Sequence, residues 1–186
     1  IDDYKFEITS LREDVSTDGR HANVKFSTSW KQDASRRDFT INSIYSDING
    51  NLFDPYNGKN DLEKGCINFI GDPDKRIKED YLRILRYLRF FIAYSKQSHN
   101  TQLIRKLKSN IEGVSMLSKD RLLDELQKLI NAKTLEKLSK DKTCMELISI
   151  IFPELKNINI FSKLNSIKRE IIENSDFIFL ISLMVI

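Results

Sequence analysis

Two stretches of the chain carry residue types that suit a nucleotide. The first is Arg36-Arg37-Asp38-Phe39-Thr40-Ile41-Asn42-Ser43. Adjacent arginines followed by an aspartate and an asparagine, at the opening of a helix, match a polyphosphate and its ribose. Arg37 can present a planar fork of donors to phosphate oxygens, and Asp38 can accept from a sugar hydroxyl. Taken alone, the same residues read more plainly as a solvated first helical turn in which Asp38 complements the helix dipole. The second stretch is Glu79-Asp80-Tyr81-Leu82-Arg83-Ile84-Leu85-Arg86-Tyr87-Leu88-Arg89-Phe90. Here Asp80, Arg83, Arg86 and Arg89 recur every three residues and wind obliquely across a helix surface. Such a row of arginines repels itself and calls for an anionic partner, either nucleotide phosphates or acids elsewhere in the chain. Spacing alone leaves both open.

Those side chains need elements to hold them. Alternating, β-prone residues over 4–11 predict a strand, 12–22 a polar loop, and 23–26 a second short strand. A helix is expected over 33–43, with Asp33 or Ser35 as its cap. Residues 44–54 alternate around Asn49-Gly50, the strongest short-range hairpin signal. A turn at 55–58, a short helix over 59–64, a strand over 66–70 and a loop at Gly71-Asp72-Pro73 follow. Beyond it the pattern is helical. An amphipathic segment spans 75–95, with Ile77, Tyr81, Leu85, Leu88 and Ile92 at helical spacing. Further helices are predicted over 101–110, 119–131, 133–140, 142–151 and from 155 onward. The fold class is therefore α+β, a strand-rich third giving way to a helical remainder. Hydrophobic residues make up 40% and charged residues 31%, a globular composition rather than a disordered one. The net charge of +3, from 30 basic and 27 acidic residues, is too small to name a partner.

Residues 36–43 resemble the RRDFTxNA motif of class II tRNA nucleotidyltransferases and the related bacterial poly(A) polymerases, with Ser43 in place of the usual Ala. Residues 79–83 resemble their EDxxR motif. Phe53-Asp54-Pro55, Gly58, Asp61-Leu62, Phe69-Ile70-Gly71-Asp72 and Arg76-Ile77 fit the text between them. Upstream, residues 9–14 and 17–22 look like the loop that precedes the RRDFT helix, and downstream residues 117–126 are similar to the LSxERxxxEL segment. The likeness covers roughly residues 4–132, and the wording of residues 78–90, KEDYLRILRYLRF, leans toward CCA addition over poly(A) synthesis.

The resemblance implies the C-terminal part of a DNA polymerase beta-type head over 1–72, an all-α neck over 73–132 with the nucleotide-selecting helix, and a partial helical body over 133–186. It implies addition of C, C and A to the tRNA 3′ end from CTP and ATP, without a nucleic-acid template. Both bases show an amino donor beside a ring-nitrogen acceptor, a pattern that a carboxylate and a guanidinium complement and that U and G reverse. By motif match Asp80 accepts from the amino group and Arg83 donates to the ring; Arg37, Arg86 and Arg89 hold phosphates, Asp38 lies near the ribose, and Glu79 and Asn42 belong to the same nucleotide-binding set. Arg121 and, more weakly, Arg105 are expected to meet RNA. The family's chemistry uses Mg²⁺ on carboxylates, led by a DxD within a GGxxRD segment upstream of RRDFT. This sequence has neither; Asp2-Asp3 and Asp72-Pro73-Asp74 sit in the wrong places, and Glu7 matches only a third, supporting carboxylate. No principal metal ligand is therefore expected in this chain. The implied possibilities are a second chain that supplies the DxD segment, a poly(A)-polymerase-like enzyme, or a non-catalytic nucleotide- or RNA-binding remnant.

The other residues give plainer readings. Cys66 and Cys144 are far apart and lack a CxxC partner, so neither a disulfide framework nor a zinc site is expected, and reduced thiols suit a cytoplasmic protein. His21 and His99 have no second ligand at metal spacing in the sequence. Trp30 is expected to pack near the RRDFT helix, Phe90, Phe91 and Tyr94 to fill core between head and neck, and residues 105–108 to form a solvated basic face. The apolar end, FIFLISLMVI, is roughly half a membrane span and reads as a core helix cut short. With an Ile at position 1, both ends of the chain are expected to be incomplete.

Overall fold

The computed structural model describes residues 8–17 and 22–185, so Glu7 and His21 lie outside the described residues. The first elements are an antiparallel hairpin of β1 (Arg12–Thr17) and β2 (Ala22–Phe26), whose register shifts between Asp14 and Ser16. The strand expected over 4–11 is not seen in its described part: residues 8–11 have no regular structure, and β1 takes the place of the polar loop. Cross-strand pairing satisfies the backbone of a polar segment as well as that of an apolar one, and so overrides the weak propensity signal.

Helix α1 (Trp30–Ser35) is capped by Ser29, whose side chain accepts from the Gln32 N–H. Asp33, expected as the cap, lies inside the helix and is buried. The helix predicted over 33–43 stops at Arg36, and a 3-10 turn occupies Thr40–Asn42. Between them the chain runs extended at Phe39, where the Asp38 carboxylate accepts the Phe39 N–H at 2.9 Å. That side chain gives the backbone an alternative to the helix ladder. Phe39 pairs with Phe69 as an isolated bridge, with Thr40 N–H to Asn68 O at 3.0 Å and Ile70 N–H to Asp38 O at 2.9 Å. The strand expected over 66–70 goes no further than this bridge.

The Asn49-Gly50 hairpin forms as β3 (Tyr45–Ser46) and β4 (Leu52–Phe53). Helix α2 (Gly58–Lys64) begins against the 3-10 turn so closely that a Cβ on Gly58 would lie 2.1 Å from the Thr40 carbonyl oxygen. Only glycine fits there.

The single helix predicted over 75–95 is two. Helix α3 (Pro73–Glu79), with Asp72 as cap and Pro73 in its first turn, ends at Asp80; α4 (Leu82–Tyr94) begins two residues later. Asp80 is extended, at φ −156° and ψ 105°, and its carboxylate accepts the Leu82 N–H at 3.2 Å. The Tyr81 ring packs against Gly113, where an added Cβ would sit 2.2 Å from the ring. Side-chain capping and this close packing outweigh the helical periodicity that reads straight through.

Helices α5 (Thr101–Ser109), α6 (Lys119–Leu129), α7 (Ala132–Lys140) and α8 (Lys142–Ile151) follow the predicted spans closely. The segment from 155 onward divides into a 3-10 turn (Ile158–Ser162), α9 (Ser166–Glu173) and α10 (Phe177–Val185). The fold is α+β: small antiparallel sheets ahead of a helical array. One apolar core runs from Phe39 and Phe69 through Ile84, Leu85, Leu88 and Ile92 of α4 to Leu135, Leu147, Phe161 and Met184. Helix α10 buries Leu180 and Met184 in it while leaving Ile178 exposed. No described helix is long and apolar enough to cross a membrane.

Candidate functional site

The extended link after α1, the break between α3 and α4, and the start of α6 converge on one polar cavity of about 460 Å³. Arg36, Arg37, Asp38, Asn42, Asp80, Arg83, Arg86 and Arg121 line it, with Leu82 and Phe90 as its apolar floor. Two motifs about forty residues apart therefore meet in one wall.

Asp33 organises the first side. It is 1% exposed and takes Arg36 at 2.7 Å, Arg37 at 2.8 Å and the Tyr45 hydroxyl at 2.7 Å, with the Arg12 N–H at 3.3 Å. Burial would raise its pKa, but the donors from Arg37, Tyr45 and Arg36 outweigh that and hold the carboxyl far below the usual carboxylate range. The Arg37 guanidinium, in turn, loses something to burial and gains more from Asp33, so it is held charged with its pKa raised. About a third of its side chain still reaches solvent (35%). Arg76 ties this side to α3 by donating to the Arg36 and Arg37 carbonyl oxygens.

Asp38 faces the other way. Asn42 donates to it at 2.9 Å, and Arg86 pairs with it across the cavity. Burial pushes its pKa up, but the charge and hydrogen bond of Arg86 push it further down, so Asp38 stays ionised. Asp80 accepts from Leu82 N–H through one oxygen and pairs with Arg121 at 2.7 Å through the other. Arg83 donates to Glu79 at 2.7 Å and to the Arg76 carbonyl at 2.6 Å.

The arginine row is thus not bare. Arg83 has Glu79, Arg86 has Asp38, and Arg89 pairs with the buried Glu125 while its guanidinium lies 4.1 Å from the Phe90 ring centroid. Of the two readings that spacing left open, acids within the chain provide the counter-charge. A phosphate entering the cavity therefore meets guanidinium groups already oriented by carboxylates, which lowers the cost of ordering them.

Of the residues singled out in the sequence, Arg37, Asp38, Asn42, Asp80, Arg83 and Arg86 line the cavity together. Glu79 stands behind it as the partner of Arg83 and Arg76, and Arg89 lies one turn along α4 on Glu125. Arg121, expected to meet RNA, lines the same cavity on Asp80, whereas Arg105 is exposed on α5 outside that lining. Asp33, expected only as a cap, and Arg76 and Glu125, which fall in the family-like text, were given no part in the site. Asp33 stands three and four residues before Arg36 and Arg37, a helical pairing distance readable in the sequence; Glu125 carries no such local signal. Phe90, expected in the core, is buried against Phe39 and also floors the cavity. Tyr94, expected in the core, is half exposed, and Trp30 packs on Tyr45 and Phe53 of the second hairpin.

A two-metal centre needs adjoining carboxylates open to an ion. Asp38 and Asp80, which line the cavity, are each engaged by an arginine, and Asp72 and Asp74, outside its lining, are taken up by the start of α3 and by Lys106 and Lys78. These side chains do not fit a Mg²⁺ pair.

Residues 1–68 match the family model described as the poly A polymerase head domain. The CCA tRNA nucleotidyltransferase 1, mitochondrial, of Homo sapiens is 46% identical over 127 residues, covering 67% of this chain and 29% of that protein. The chain belongs to the CCA-adding tRNA nucleotidyltransferase family. The CCA-adding enzyme of Staphylococcus epidermidis is 39% identical over 127 residues, covering 67% of this chain and 32% of the enzyme. The chain thus spans about a third or less of the length of these relatives. In fold it is similar to the crystal structure of the Bacillus stearothermophilus CCA-adding enzyme in complex with CTP, with a TM-score of 0.63 and 24% identity over 83% of this chain and 38% of that one.

Proposed function

We propose that this chain supplies the nucleotide-selecting pocket of a tRNA nucleotidyltransferase that adds CCA to the tRNA 3′ end from CTP and ATP. The observation that carries the reading is the break at Asp80-Tyr81. It swings the Asp80 carboxylate out of the helical row and places it with Arg83 in the wall of the cavity that Arg37, Asp38 and Asn42 share. Asp80 has lone pairs beyond those used by Leu82 and Arg121, and a cytosine or adenine amino group can donate to them. The Arg83 guanidinium, fixed by Glu79, donates to the adjacent ring nitrogen. Uracil and guanine would set acceptor against carboxylate. Arg37 and Arg86 hold the phosphates, and Asp38 with Asn42 meets the sugar.

Residues 1–72 then act as part of the head, 73–132 as the neck and 133–186 as part of the body. The metal carboxylates, with Mg²⁺ as the ion, come from protein outside these residues, in the same polypeptide or in a second chain. RNA contact by Arg105 and a supporting role for Glu7 complete the reading. Free thiols at Cys66 and Cys144 favour a reducing compartment such as the cytoplasm, with the mitochondrion as the alternative raised by the human relative's name.

The test is binding of CTP, ATP, UTP and GTP to the purified chain by calorimetry, with Asp80→Ala beside it. Preference for CTP and ATP, lost in Asp80→Ala, is the expected result. Equal affinity for all four nucleotides would remove the reading.

A further inference from the structure

His99 lies in the connection between α4 and α5 and has no ligating neighbour in chain order. The fold carries it to the junction of α7 and α8. There its Nε2 is 3.0 and 3.1 Å from the two Asp141 carboxylate oxygens and 3.7 Å from Cys144 Sγ. The three ligating atoms all lie within 4.8 Å of one another. On the far side of the ring, Nδ1 is 3.2 Å from the Tyr87 hydroxyl, and the ring stacks on Phe91 at 3.6 Å and 14°. Forty-odd residues separate His99 from the other two groups along the chain, so spacing in the sequence does not bring them together; tertiary packing does.

We propose that His99, Asp141 and Cys144 form a zinc site with its fourth position open to water. One nitrogen, one oxygen and one sulfur are the donor types that zinc takes. Bonds of about 2.0–2.3 Å in a tetrahedron set ligand atoms about 3.3–3.6 Å apart, a range that the observed nitrogen–oxygen and nitrogen–sulfur separations bracket. The outer contact is also in place. In the tautomer with its proton on Nε2, His99 donates to Asp141 and its Nδ1 accepts from Tyr87. With zinc on Nε2 the ring proton sits on Nδ1 and Tyr87 Oη accepts it, which fixes the tautomer and the ring plane. On binding, the Cys144 thiol gives its proton to solvent, and thiolate and carboxylate together balance the dication. His99 and Asp141 retain 12% and 20% exposure, which gives the ion its entry, while Cys144 is fully buried. None of the three lines the arginine cavity, so the inference stands apart from the proposed function. The ion would fasten the α4–α5 connection to α8, clipping together segments on either side of residue 132.

The test is titration of the reduced, purified chain with Co²⁺ as a spectroscopic probe, followed by thermal melts with and without Zn²⁺. One equivalent of cobalt should give a thiolate-to-cobalt charge-transfer band, and zinc should raise Tm as any ligand of the native state does. Cys144→Ser should abolish the band, Cys66→Ser should leave it intact, and His99→Gln should weaken cobalt binding at least tenfold. Wild-type protein with no band and no zinc-dependent rise in Tm would overturn the site. So would a band that survives Cys144→Ser and disappears in Cys66→Ser.

Discussion

The two faces of α4 solve different problems with the same thirteen residues. One face presents Arg83, Arg86 and Arg89, part-exposed and each held by a carboxylate. The other buries Ile84, Leu85, Leu88, Phe91 and Ile92 at no more than 5% exposure, with Tyr87 reaching His99. Apolar burial is non-directional and stabilises in proportion to area; part-exposed ion pairs add little stability but fix where each guanidinium points. The apolar face therefore holds the fold, and the charged face fixes where its guanidinium groups point.

Three substitutions press on that contrast. The largest effect belongs to the apolar face. Leu88→Ala removes a fully buried side chain, and denaturant unfolding should show a loss of about 2–5 kcal/mol. A loss below 1 kcal/mol would mean that α4 is not the core's axis.

An intermediate effect is expected at Asp38, where the carboxylate is buried yet charged. Its folded pKa is depressed, because Arg86 and Asn42 favour the ionised form more than burial opposes it. The stability it contributes is therefore complete above the ordinary carboxylate value of about 4 and drains away as pH falls below that. Asp38→Asn should cost about 1–3 kcal/mol at neutral pH and flatten the acid limb of a stability–pH profile. An unchanged acid limb would show that Asp38 does not pair with Arg86 in solution.

The smallest stability effect is expected at Arg121. Its pair with Asp80 is a quarter to a third exposed, so Arg121→Ala should shift stability by no more than about 1 kcal/mol. On the proposed reading, discrimination of CTP and ATP from UTP and GTP should nonetheless change, because the substitution removes the partner of the carboxylate proposed to read the base. A large loss of stability with unchanged discrimination would assign Arg121 to the core of the fold instead.

Much of this was legible in the residues. The helices from α5 to α8 lie within a residue or two of their predicted spans, because each pairs amphipathic spacing with clear breaks. The Asn49-Gly50 hairpin formed where glycine tolerates φ of +84°. Of the residues the two motifs singled out, Arg37, Asp38, Asn42, Asp80, Arg83 and Arg86 share the cavity, whereas Glu79 and Arg89 lie outside its lining and Arg121, from neither motif, joins it. What misled were the local exceptions: β1 in a polar stretch, Asp33 buried inside α1, and the interruption at Asp80.

By itself the sequence determined the α+β class, most helical spans and the family resemblance carried by the motifs around Arg37, Asp38, Asp80 and Arg83, because periodicity, turn chemistry and motif order are local properties. Only the tertiary structure decided that α3 and α4 are separate helices, that Asp38 and Glu125 neutralise the arginine row, and that His99 meets Asp141 and Cys144. Those outcomes depend on side chains far apart in the chain and close in space, where the balance of burial against pairing is struck.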